Sequence, residues 1–92
     1  MSFRVSGGHR RRPTTHRLRD EATYHGTRHA VYENVKKPHV RVMFIGSNAP
    51  KSLRDAPFGS KHDLEYDGAT RKGRKVTRRI GDSNVPVLEF KV

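Results

Sequence analysis

The chain has 92 residues, 32% of them hydrophobic and 8% aromatic, and 20 Lys and Arg stand against 9 Asp and Glu for a net charge of +11. That length allows one small domain, and an apolar share well below the roughly 45–50% of ordinary soluble domains excludes a large core. The absence of cysteine excludes disulfides and thiolate metal sites, and the longest apolar run, Val42-Met43-Phe44-Ile45, excludes a bilayer-spanning segment of roughly 20 residues.

An excess of positive charge on so small a surface repels itself, and a polyanion that releases its condensed counterions relieves the repulsion. Nucleic acid is the expected partner. An anionic membrane would need an apolar insertion face beside the basic one, so no membrane partner is expected. The start, Met1-Ser2-Phe3-Arg4-Val5, lacks the apolar centre of a secretory signal, although its Arg and Ser content suits an organellar import peptide. The expected location is intracellular, on a ribosome or another large particle, organellar or not.

Residues 1–19 hold no acid and six arginines, Arg4, Arg10, Arg11, Arg12, Arg17 and Arg19, interspersed with Gly7-Gly8 and Pro13. Neither helix nor strand is favoured there, and the segment reads as a long basic N-terminal extension. Residues 20–38 suit a short helix and linker. Asp20 and Glu21 would lie at its N-terminus, Lys36-Lys37 near its end, Pro38 would close it, and Val31 and Val35 would share a face. Gly26 and several β-branched residues oppose this, so the helix is expected to begin after Gly26.

Residues 39–92 read as a small antiparallel β domain. His39 to Ile45 is a strand in which Val40, Val42 and Phe44 alternate with His39, Arg41 and Met43. Ala49 to Gly59, with Pro50 and Pro57, is a loop with at most one helical turn around Lys51 to Asp55. His62 to Asp67 sets Asp63, Glu65 and Asp67 on one face and Leu64 and Tyr66 on the other. Arg74 to Ile80 sets Val76 and Ile80 against Lys75, Thr77 and Arg79. A hairpin across Gly68 to Gly73 that places Tyr66 opposite Val76 also places Asp67 opposite Lys75 and Asp63 opposite Arg79, matching acid to base. Val85 to Val92 is a final strand, with Pro86 suggesting a sheet edge. The fold class is therefore mainly β, with a small α+β fold as the variant: a three- to four-stranded antiparallel sheet behind a basic tail. Phe44, Tyr66 and Phe90 are the expected core aromatics.

Arg71, Lys72, Arg74, Lys75, Arg78 and Arg79 fall within nine residues free of acid, a density suited to phosphate contact. Gly68 and Gly73 would let backbone amides approach as well. With Arg4, Arg10, Arg11, Arg12, Arg17 and Arg19 they form the expected nucleic-acid-binding set. Six His without Cys, and without an acid in metalloprotease spacing, make no expected metal site and imply no cofactor. His62 beside Asp63, or His39 beside Arg41, could serve a ribonuclease, but no spacing brings them together, so no enzyme is expected. The aromatics do not interleave with basic residues along one strand, which points to backbone contact and not to base reading.

The expected function is a structural RNA-binding subunit of a ribonucleoprotein particle, most simply a ribosomal protein, with RNA favoured over DNA and neighbouring proteins as further partners. A small virion or chromatin-type protein that neutralises DNA is the alternative. An adaptor threading between protein subunits of a capsid or filament is the alternative of another class.

Overall fold

The computed structural model describes residues 15–92. Six antiparallel strands, β1 (His16–Tyr24), β2 (Thr27–Asn34), β3 (Lys37–Phe44), β4 (Lys61–Tyr66), β5 (Ala69–Ile80) and β6 (Ser83–Lys91), close into a barrel in the order β1-β2-β3-β6-β5-β4. Each half is an up-and-down meander. The segment between them carries a single helical turn, α1 (Lys51–Arg54), where one turn at most is expected. Strands β3 and β6 join the halves over five residue pairs, whereas β1 and β4 meet in register only at Thr23 and Glu65.

The mainly β, antiparallel character is as expected; the strand number, six in place of three to four, is not. The helix expected between Asp20 and Pro38 is a hairpin. His25 (φ 49°) and Gly26 (φ 81°) both take left-handed backbone, the requirement of a two-residue type I′ turn, and β1 runs directly into β2. Strand β1 begins at His16, inside the segment expected to be an extension. Asn34 forms the next turn, its Oδ1 accepting from the amides of Lys36 and Lys37 at 2.9 and 3.1 Å.

The β4–β5 hairpin is tighter than expected. Asp67 (φ 54°) and Gly68 (φ 78°) make a second type I′ turn, so Tyr66 faces Ala69, Asp63 faces Lys72 and Lys61 faces Arg74. The Tyr66–Val76 register is thereby replaced. Pro86 does not mark an edge, because β6 is paired on both sides. Its carbonyl accepts from Ile45 beyond the last β3–β6 pair, Phe44–Val87, so its missing N–H breaks no ladder.

Alternation fills the barrel with Ala22, Tyr24, Val31, Met43, Leu64, Tyr66, Leu88 and Phe90, and α1 inserts Leu53 at one end. Each large apolar side chain so buried contributes about 1.5–3 kcal/mol. Tyr66 and Phe90 pack edge to face at 5.1 Å, but Phe44 points outward and stacks on Tyr32 at 4.5 Å.

With so few apolar residues, charged groups complete both ends of the interior. At the end covered by α1, Lys75 is 3% exposed, and its ammonium donates to the carbonyls of Leu53 (3.0 Å), Arg54 (2.8 Å) and Ala56 (2.7 Å). All three protons are used, which is the condition for burying an ammonium. At the other end Glu33 accepts from Arg17 at 2.8 Å and Arg19 at 2.7 Å, with Arg41 at 3.6 Å. A β-bulge at Arg19 brings both outer arginines to one carboxylate. Arg41 is also held by the carbonyls of Pro38 and Val40 and by the Tyr66 hydroxyl, which donates to Asp20 at 2.9 Å. The hydrogen bonds from Arg17 and the charges of the arginines hold the Glu33 carboxyl below the usual range.

Candidate nucleic-acid interface

Outward-facing side chains of β3, β5 and β6, with Lys61 of β4 beside them, line an open groove of about 610 Å³. Its cations are Lys61, Lys72, Arg74, Arg78 and Lys91, and Glu89 is its carboxylate; Val40 and Val76 contribute apolar surface. Strand alternation explains the set. Lys72, Arg74, Val76 and Arg78 lie two apart on β5, Glu89 and Lys91 two apart on β6, and the register aligns Lys61 with Arg74 and Arg74 with Glu89.

Two of the cations have partners. Lys72 reaches Asp63 at 2.7 Å, and Arg78 grips Glu89 with Nε and Nη2, each at 2.8 Å. Those hydrogen bonds raise the Arg78 pKa above its ordinary value. Lys61, Arg74 and Lys91 are exposed and have no carboxylate partner among the described residues. Lys61 and Arg74 even stand as a direct cross-strand pair of like charge, an arrangement that costs stability in the absence of an anion. Comparison with protein-family models, with curated proteins and with solved structures finds no match to this chain. The reading of the groove therefore rests on its geometry and charge.

The residues expected to bind nucleic acid separate into distinct places. Lys72, Arg74 and Arg78 lie in the groove. Arg17 and Arg19 sit at the barrel mouth, bound to Glu33. Lys75 is in the interior, because β5 turns the Lys75 face inward and the Val76 face outward. Arg71 is half-buried, with no partner for its Nε among the described residues, and Arg79 is exposed opposite Asn84. Arg4, Arg10, Arg11 and Arg12 lie outside the described residues. Lys61 and Lys91 complete the groove and were not expected. Their signal was alternation, two residues before Asp63 and two after Glu89.

Gly73 has a different role from the one expected. It is buried in β5, where an added Cβ would lie 3.0 Å from both Leu64 and Leu88, so its missing side chain admits core packing. Among the described residues, His62 and Asp63 point to different partners. His62 contacts Ser60 Oγ at 2.7 Å, while Asp63 faces outward to Lys72. His25 stacks on Tyr24 in the turn, whereas His29 points into the barrel. Burial lowers the pKa of His16, His29 and His62, and His16 also feels Glu89 and Arg78 from the groove side.

A second concavity, of about 420 Å³, lies over the β1–β4 seam. Among the described residues it carries Asp63 and Glu65 and no Lys or Arg, so it disfavours the ligand that the basic groove would attract.

Proposed function

We propose that the protein is a structural nucleic-acid-binding subunit that lays its basic groove along a phosphate backbone, RNA in preference to DNA, within a large ribonucleoprotein particle such as a ribosome. The observation that carries this reading is the unneutralised set Lys61, Arg74 and Lys91 on one face, with Lys61 and Arg74 directly opposed in register. Like charges held together on a rigid sheet lose their repulsion when phosphates come between them, and the released counterions add a favourable entropy.

The barrel scaffold supplies the precision. β5 and β6 are paired on both sides, so the cations project from fixed backbone. Contacts of this kind position a backbone and carry little base information. The test is a salt titration of binding by the full chain to single-stranded RNA, duplex DNA and heparin. The expected result is tighter binding to RNA than to heparin, with a steep salt slope. Binding that does not discriminate nucleic acid from heparin, or that favours an acidic protein surface, removes the proposal.

A further inference from the structure

Among the described residues Glu89 is the single carboxylate lining the groove, and it pairs in register with Arg74 on one side and Val42 on the other. Arg78 reaches along the strands past its own cross-strand partner, Val85, to grip it. Two N–H donors on two carboxylate oxygens form the fork that a guanidinium also offers to phosphate. The Arg78 and Glu89 side chains are 42% and 26% exposed, so solvent and solutes reach them.

A pair exposed to this degree adds little to folding stability. An acid amid five cations, however, opposes any anion entering the groove. We propose that Glu89 is a built-in competitor for the groove's ligand: in the free protein it occupies the Arg78 fork, and a nucleic-acid phosphate displaces it. This rests on the reading of the groove as a nucleic-acid interface and adds its regulation. A single phosphate gains little by the exchange, because one carboxylate–guanidinium pair is traded for another. A polyanion that also engages Lys61, Arg74 and Lys91 makes the exchange favourable. The groove thereby selects a chain of phosphates over isolated ones.

The test measures binding of the full chain to a short labelled single-stranded RNA over a range of salt. Glu89→Gln is expected to tighten binding about 3- to 10-fold and to steepen the salt slope by about one. Adding Arg78→Gln to that variant is expected to cancel the gain. Unchanged or weaker binding by folded Glu89→Gln overturns the proposal, and so does a gain that survives loss of Arg78. If folded wild type fails to bind RNA, the interface reading itself falls and takes the competitor with it. Should Glu89→Gln not fold, the wild-type guanidinium Nε–H resonance of Arg78 decides. It is expected to move on RNA addition together with the Glu89 carboxylate carbon, and both standing still while RNA binds overturns the displacement.

Discussion

Lys61 and Arg74 face each other across β4 and β5 with no carboxylate partner for either among the described residues. Removing one charge of the pair should act in opposite directions on folding and on binding. Lys61→Gln is expected to raise stability by about 0.2–1 kcal/mol while weakening RNA binding. Chemical denaturation beside a binding titration checks both signs; a fall in both would make Lys61 a structural residue.

Lys75 belongs to the basic run in sequence but to the interior in structure. Lys75→Met takes a donor from three carbonyls at the end of α1, of which Leu53 keeps the Ala56 amide, and about 2–4 kcal/mol of stability should be lost. Under conditions where the variant remains folded, its RNA affinity should match that of wild type. An affinity loss as large as that of the groove variants would place Lys75 at the interface and contradict its burial.

Gly73→Ala tests the packing of the barrel. Its new methyl must displace Leu64 or Leu88, both tightly enclosed, at a cost of about 1–3 kcal/mol. Urea unfolding should show a lower midpoint; an unchanged midpoint would mean that β5 has room at this position.

Mild acidification should destabilise the fold through its buried histidines. His16, His29 and His62 have pKa values lowered by burial in the folded state, so the unfolded chain binds protons first. The stability they contribute is complete above their unperturbed value of about 6.5 and is lost as pH falls toward their folded values. Calorimetry from neutral pH downward should show a falling Tm, each kcal/mol lost costing about 4–8 °C at this size. The slope should be shallower in His29→Leu, and a Tm that rises on mild acidification would contradict the burial of these rings. Glu33, whose pKa is lowered, contributes stability that is complete above the usual carboxylate range and is lost at more acid pH, where protonation releases Arg17, Arg19 and Arg41.

Much of the second half was legible in the residues. The alternation of Val40, Val42 and Phe44, the prolines around α1 and the apolar run after Val85 mark β3, the helical turn and β6. The first half misled, because Val31 and Val35 at helical spacing before Pro38 imitate an amphipathic helix. The true marker was the pair His25-Gly26, which can enter the left-handed region together; Asp67-Gly68 carried the same signal in the second hairpin. Missing that turn shifted the register and hid the alignment of Lys61 with Arg74. The inward turn of Lys75 could not be read locally, since what makes its burial tolerable is a set of carbonyls some twenty residues away. The Arg19 bulge and the convergence on Glu33 are likewise products of pairing and not of pattern.

The central claim is that phosphate is bound by the groove and not by positive charge in general. The decisive measurement compares the salt dependence of RNA affinity in Lys61→Gln/Arg74→Gln/Lys91→Gln with that in Arg28→Gln/Lys36→Gln/Lys51→Gln, which loses as much charge from exposed positions outside the groove. The groove variant should bind weakly, with its slope flattened by about two to three, while the control keeps most of the wild-type affinity and slope. Equal losses in the two variants, or none in the groove variant, would contradict the groove as the interface.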